Sequence, residues 1–289
     1  MDFTHSSYNR HSKEYERDVT DPSRIALADA WFKPSLQNHF GDRLGYELGG
    51  FFKDRTVVTI GDGRGGLDSV RLQERGATSV LPTDISPHLL EKAKKDGRIS
   101  DYRVENAERL SFPDNSFDFT FMKETFHHCP RPWLAFYEML RVCRTGVVLV
   151  EPQDQSGTPY DKLRHLRSPD KIPGEYEDVG NFVFRLSLAE LIKVAMGVDL
   201  PCIAYRYETF AYVAGVEHLP VNAFSTKALR YRAIRIVRQL AAAVGLIRPL
   251  ILLAIVFKTE PKEAEIAWLE THGWEVRQLQ RNPHSSAKS

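Results

Sequence analysis

The sequence predicts a doubly wound α/β domain, a mostly parallel sheet with helices on both faces. Three observations carry that expectation. From Thr56 onward, short apolar, β-branched runs alternate with helix-length segments, the alternation that builds a parallel sheet. The first run, VVTI, feeds into the glycine-rich turn Gly61-Asp62-Gly63-Arg64-Gly65-Gly66, and an acidic residue, Asp84, follows about twenty residues later. The block 107–151, AERLSFPDNSFDFTFMKETFHHCPRPWLAFYEMLRVCRTGVVLVE, then joins a polar turn, a buried strand, a His pair, a helix and a second buried strand in fixed order.

Each element has its own local reason. Residues 1–50 read as a polar-aromatic helical cover, with Trp31, Phe32 and Phe40 as anchors. VVTI (57–60), bounded by glycine, has the texture of a buried parallel strand. A helix follows over 67–75, and SVLPTD (79–84) is the second strand. The helix over 86–95 is expected to start with Ser86 as N-cap and Pro87 at its first position. DYRV (101–104) and FDFTFM (117–122) supply the third and fourth strands, RPWLAFYEMLRVC (131–143) a helix and GVVLVE (146–151) the fifth strand. Ser187-Leu188-Ala189-Glu190 is a capping box that opens another helix. IAYRYETFAYV (203–213) and LILLAIVF (250–257) read as strands separated by a helical insertion. The chain is therefore divided into a cover (1–50), a core (51–213), an insertion (214–247) and a last core strand, helix and frayed tail (248–289).

Composition excludes several classes. Among 289 residues, 42% are hydrophobic, enough for a large core, and 39 basic against 38 acidic residues leave a net charge of +1. No global field draws the chain to nucleic acid. The widely spaced Cys129, Cys143 and Cys202 form no CxxC pair or metal-ligand cluster, which points to a reducing, cytoplasmic setting and no metal. The polar start MDFTHSSYNRHSKEYERD predicts no signal peptide. Residues 240–257 are strongly apolar, but Arg248 and Pro249 interrupt them, so a helix end, a turn and a buried strand are expected in place of a membrane span.

The glycine loop lets the backbone turn sharply and approach a ligand, and the helix behind it presents its N-terminus to negative charge. Asp84, at a strand end, can accept both hydroxyls of a ribose. An adenosine-type cofactor is implied, though Gly61, Gly63 and Gly66 satisfy GxGxxG while Gly61, Gly63 and Gly65 also satisfy GxGxG. An ordinary strand–helix turn is the bland alternative. Taken together, TIGDGRGG, LPTDIS, NAERLSFPDNSFDFTF, FHHC, EMLRVCRTG and VVLVEP resemble the class I S-adenosylmethionine-dependent methyltransferases. Within them they look like the small-molecule, type 11-like group that includes ubiquinone, menaquinone and sugar methyltransferases. The likeness spans 55–152. It implies a Rossmann-like, seven-stranded sheet whose last strand, 250–257, runs antiparallel. It also implies S-adenosyl-L-methionine as cofactor. By the same resemblance, Gly61, Gly63 and Gly65 line the methionine portion, Asp84 binds the ribose, and Ile85 packs on the adenine. Asn106 and the Ala107 backbone meet the adenine edge, and Lys123 sits near the methionine ammonium. Thr59 departs from the family's acidic residue on strand one; Asp62 is placed to supply that charge, and Arg64 to face the cofactor carboxylate.

Methyl transfer to an alcohol is an in-line displacement that needs positioning and a general base. His127 and His128 follow strand four at the ligand edge, and a His in the His pair of related sugar methyltransferases is thought to be that base; His128 is the first choice. Packing or helix capping is the alternative for either. Glu124 and Glu151 are secondary catalytic candidates, Glu151 equally readable as a structural acceptor before Pro152, and Asp154 lies close behind. The stretch 153–185 reads as an active-site cover, with Tyr160, Glu175, Tyr176 and Asp178 able to touch a polar substrate, or as a solvated loop. In KALRYRAIRIVRQL (227–240), Leu229, Ala233, Ile236, Val237 and Leu240 share a face, with Lys227, Arg230, Arg235 and Arg238 largely opposite. That predicts a solvated helix packed on the domain, or peripheral contact with anionic lipid or a phosphate-bearing substrate. KETF lacks the signature of amino-group base methylation, and Cys129 reads as an ordinary thiol, so nucleic acid is not an expected partner. The expected activity is O-methylation of a sugar, glycan precursor (as in polysaccharide biosynthesis) or other small metabolite. The alternatives are a degenerate binding protein and an NAD(P)-dependent oxidoreductase.

Overall fold

The computed structural model describes residues 8, 10, 13, 16, 17, 19–41, 44–167, 176, 182–210 and 212–284. One sheet organises them. Its strands are β1 (Thr56–Ile60), β2 (Ser79–Asp84), β3 (Arg103–Val104), β4 (Phe117–Lys123), β5 (Cys143–Pro152), β6 (Cys202–Glu208), β7 (Ile251–Phe257) and β8 (Glu275–Gln278), in the order β3-β2-β1-β4-β5-β7-β6-β8. β1 to β5 pair in parallel. β7 lies antiparallel between β5 and β6. The sheet has eight strands where seven are expected, because the chain turns at Gly273 (φ +78) and adds β8 to the open edge of β6.

The helices are α1 (Pro22–Ala30), α2 (Leu36–Gly41), α3 (Leu48–Phe51), α4 (Leu67–Glu74), α5 (His88–Lys95), α6 (Pro132–Val142), α7 (Pro159–Arg167), α8 (Leu188–Gly197), α9 (Thr226–Ala243) and α10 (Glu263–Thr271). Alternation along the strands feeds two cores. Val147 and Leu149 of β5 with Leu252, Ala254 and Val256 of β7 face one side. Val148 and Val150 with Leu253, Ile255 and Phe257 face the other. Because both faces are covered, the strands read as unbroken apolar runs. The apolar stretch 240–257 resolves into a helix end, a turn and fully buried β7. Among the described residues no helix is long and apolar enough to cross a membrane.

The block 107–151 is tied together by its own side chains. Arg141, at the end of α6, donates to the carbonyls of Leu110 (2.9 Å) and Phe112 (2.8 Å), while Glu138 accepts from the Leu110 N–H (2.9 Å). The helix thereby holds the polar turn ahead of β4. The capping box of α8 forms as expected, with Ser187 Oγ accepting from the Glu190 N–H (3.2 Å) and Glu190 accepting from the Ser187 N–H (3.1 Å).

Several expected boundaries shift. Ser86 does not cap α5: its buried Oγ meets no N–H of the described residues, Pro87 is the N-cap without a side-chain bond, and the helix starts at His88, while the Ser86 N–H bonds Asp84 Oδ1 (2.8 Å). The third strand shrinks to Arg103–Val104, and β6 stops at Glu208. The insertion is helical only over α9. That helix does not pack by its apolar stripe: Ala228 and Tyr231 are the buried residues, clustered with Leu36 and Val216, while Leu229, Ile236, Val237 and Leu240 are exposed. The N-terminal anchors Trp31, Phe32 and Phe40 are half-buried, and the fully buried positions there are Leu36, Leu44, Tyr46 and Leu48.

Candidate functional site

The loops after β1, β2 and β4 open one cleft, at the point where the strand order reverses between β1 and β4. It encloses about 930 Å³, its open mouth included. Ile60, Gly61 and Asp62 form one wall, Asp84, Ile85, Asn106 and Ala107 a second, and Lys123, Glu124, Thr125 and His128 a third.

The glycine loop is shaped by close contacts. Gly61 has φ +79, and a Cβ there would lie 2.1 Å from Thr125 Cγ2; Thr125 Oγ1 donates to the Gly61 carbonyl (3.1 Å). A Cβ on Gly63 would lie 2.6 Å from Asp84 Oδ2. Gly63 and Gly65 support the loop from behind and are not among the cleft-lining residues. Asp62 turns inward. Its carboxylate accepts from the Asp68 N–H (2.9 Å), the Ser69 N–H (3.0 Å), Ser69 Oγ (2.7 Å) and Thr59 Oγ1 (2.9 Å). An acidic group thus fixes the loop against the N-terminus of α4, and Thr59 is its partner. Burial still pushes its carboxyl above the ordinary range.

Asp84, 4% exposed, ends β2 with its carboxyl pushed up to about 7 by burial, against the opposing pull of the Ser86, Gly63 and Ile85 N–H groups. Asn106 is on the wall, but its Oδ1 already accepts from the Glu108 N–H (2.9 Å), so one of its two lone pairs is taken.

Across the cleft lies a charge cluster that the motifs do not announce. Tyr46, from the N-terminal segment, donates to Asp68 Oδ1 (2.6 Å). Burial pushes Asp68 up to about 7, with Lys123 pulling the other way. Lys123 pairs with Glu124 (3.1 Å); burial lowers its pKa, but the Glu124 and Asp68 carboxylates outweigh that and hold it above its usual value. Beside Lys123, the Glu124 carboxyl falls to about 2. Glu124 also has φ +49, backbone strain at the mouth of the site. Arg64 stacks over Trp31, 4.7 Å from its ring, and Trp31 stacks on Tyr212 (5.8 Å). Asp68 was detectable only as an acidic residue in the first turn after the loop; Tyr46 and Thr125 carry no local signal.

The His pair divides. His127 is buried, and its Nδ1 donates to Glu151 Oε2 (2.7 Å). Glu151, fully buried, also accepts from the Thr125 and Phe126 N–H groups (2.9 Å each). Three donors bind its carboxylate, which makes it a strut between β5 and the Phe126–His128 turn, and it is not among the residues lining the cleft. His128 does line the cleft, its ring 4.1 Å from that of His127. Cys129 is also on the wall, its thiol pushed well up by burial and so held protonated. In the expected cover, Tyr160 opens α7 and Tyr176 is exposed against Phe182; Glu175 and Asp178 lie outside the described residues. Among the described residues no cluster could hold a metal ion.

Residues 58–150 match the methyltransferase domain family Methyltransf_11. Over 98 residues, 33% are identical to the 2-methyl-6-phytyl-1,4-hydroquinone methyltransferase of Synechocystis sp., covering 33% of this chain and 30% of that protein. Over 158 residues, 29% are identical to the biotin biosynthesis bifunctional protein BioHC of Cellvibrio japonicus, covering 54% of this chain and 30% of that protein. The chain thus spans under a third of the length of these curated relatives. The crystal structure of the [4+2]-cyclase SpnF covers 76% of this chain and 81% of its own, with 15% identity and a TM-score of 0.50, a likeness of fold alone.

Proposed function

From the premise that residues 58–150 are a class I methyltransferase domain, we propose that the chain transfers methyl from S-adenosylmethionine to a hydroxyl of a sugar, glycan precursor or other small metabolite. The observation that carries this reading is the single cleft joining Asp84 and Asn106 at one end to Asp68, Lys123 and His128 at the other. The residues present fit the cofactor. The missing Cβ at Gly63 leaves room against Asp84, whose carboxylate would accept the ribose hydroxyls. Ile85 would cover the adenine, the Ala107 backbone its edge. Asp68, held by Tyr46 on the cleft wall, would receive the ammonium end, with Arg64 above the carboxylate. When bound, the cofactor supplies a methyl carbon on a sulfonium sulfur.

The chain's own work is to hold an acceptor in line and take its proton. His128 is the group we place at that proton. His127 is held by Glu151 and packs against His128, and so fixes its position. An acceptor hydroxyl held in line would pass its proton to His128 as its oxygen took the methyl carbon, the carbon–sulfur bond breaking with its electron pair left on sulfur as a neutral thioether.

Calorimetric titration with S-adenosylhomocysteine tests the cofactor claim, and turnover with isotope-labelled cofactor tests the acceptor. Label should appear on an alcohol oxygen. His128→Asn should lower kcat by about 10²–10⁴-fold with the S-adenosylhomocysteine Kd nearly unchanged. Preferential labelling of nitrogen or carbon sinks the O-methyl assignment. A second reading is favoured by one observation: the same fold serves a [4+2]-cyclase, so the fold by itself does not fix methyl transfer as the reaction. Tight cofactor binding without turnover on any hydroxylated acceptor would select it.

A further inference from the structure

We propose that α9, with the turn before it and α7 beside it, is a docking surface for an anionic lipid bilayer. The inference is independent of the methyl-transfer reading. It starts from an inversion in packing. At about 100° per residue, Ala228 and Tyr231 lie on one side of α9 and Leu229, Ile236, Val237, Leu240 on nearly the opposite side. The domain takes the first side, where both residues are fully buried. The apolar stripe points outward: Val237 is 63% exposed, Leu240 61% and Val244 78%. A stripe of this size left in water marks an interaction site.

The stripe continues beyond the helix. Phe224, just ahead of α9, is 85% exposed, and the turn that presents it is held by Arg232, which donates to the carbonyls of Ala223 (2.7 Å) and Val221 (2.9 Å). The aromatic ring is therefore displayed by a fixed turn. At the other end, the Tyr160 N–H bonds the Leu246 carbonyl (3.1 Å), and Arg248 Nη1 donates to the carbonyls of Asp154 (2.9 Å) and Ser156 (3.0 Å). These bonds set α7 next to the insertion. α7 buries none of its residues, and its Leu163 and Leu166 are exposed.

Charge identifies the occupant. No Asp or Glu occurs between Glu217 and Glu260, while Lys227, Arg230, Arg232, Arg235, Arg238 and Arg248 fall in that span. α9 itself carries no carboxylate, so a second copy meeting it helix against helix would bring arginine against arginine with nothing on either helix to pair them. A nucleic acid would meet an apolar ridge. A headgroup layer with acyl chains beneath takes both: the stripe and Phe224 enter the apolar boundary, and Lys227, Arg230 and Arg238 meet lipid phosphates, while Arg232, Arg235 and Arg248 hold the surface in place from within the protein. Topology orients this surface. β5 and β6 both run antiparallel to β7, so α7 and α9 leave the sheet from the same edge as the cleft. Docking would thus turn that edge toward the bilayer and, on the reading of the cleft given above, toward an amphiphilic acceptor.

The full chain is sedimented with phosphatidylcholine vesicles, pure or doped with phosphatidylglycerol, at low and at physiological ionic strength. Binding is expected only to the doped vesicles and should weaken with salt. Val237→Glu with Leu240→Glu should weaken it by about tenfold or more, with the melting temperature unchanged because both side chains are exposed. In a Phe224→Trp variant with the native tryptophans as background, added emission should shift to the blue on doped vesicles. Equal binding to undoped vesicles, unaltered binding by the double variant, no blue shift, or a dimer that the double variant converts to monomer would each overturn the proposal.

Discussion

Asp84 carries an exposed consequence of burial. Its carboxyl and that of Asp68 are both pushed up to about 7. A folded pKa above the unfolded value means that the folded state holds more protons between about 4 and about 7. That stability is fully present below the unfolded pKa and is lost as pH rises through about 7. The ligand-free protein should therefore melt higher near pH 6 than near pH 8, a difference that calorimetry can read and that Asp84→Asn should reduce. Cofactor binding has the opposite sign. Ribose hydroxyls donate to the ionised form, so S-adenosylhomocysteine affinity should fall by about tenfold per pH unit below about 7, where binding releases one proton from Asp84. A flat affinity profile across that range would remove Asp84 as the ribose ligand. Asp62 behaves differently because its oxygens are already committed to α4, Ser69 and Thr59. The acidic group expected on strand one has moved three residues on and kept a structural task.

At the scale of the element, the polar turn ahead of β4 depends on α6. Arg141 satisfies the Leu110 and Phe112 carbonyls and pairs with Glu138 and Asp114. Arg141→Ala leaves those acceptors to water and should cost about 1–3 kcal/mol in denaturant melts. It should also weaken cofactor binding, since Asn106 and Ala107 lie just ahead of the turn; unchanged binding would show that the adenine wall stands without it. The same bonds explain why the motif was legible. Residues far apart in the turn and the helix end are one hydrogen-bonded unit, so their order in the chain reports their geometry. The capping box of α8 was legible for a similar reason, because both partners lie within one turn. The start of α5 lies one residue beyond the expected place, where Ser86 turns its N–H to Asp84 and its Oγ takes no part in a cap.

Over the whole molecule, the N-terminal segment and the chain after β6 meet above the glycine loop. Trp31 lies between Arg64 and Tyr212. This stack joins the cover to the cleft by a contact worth about 0.5–2 kcal/mol. Trp31→Ala should therefore weaken S-adenosylhomocysteine binding by about threefold to thirtyfold with little change in melting temperature. An unchanged Kd in calorimetry would show that the cover does not contribute to the site. Tyr46 makes the same point from the inside: it crosses from the N-terminal segment to Asp68 (2.6 Å), a pairing that nothing near it in sequence signals.

The sequence by itself determined the parallel sheet, the position of the cleft and the residues of the glycine loop, because these follow from strand periodicity, glycine backbone freedom and short-range spacing. It also placed both histidines directly after β4. Only the tertiary structure decided which way the side chains turn. It directs His128 to the cleft and His127 to Glu151, brings Tyr46 and Asp68 together, and leaves the apolar stripe of α9 facing outward. Those outcomes depend on which neighbour reaches a group first, and that competition is settled by packing between residues far apart in the chain.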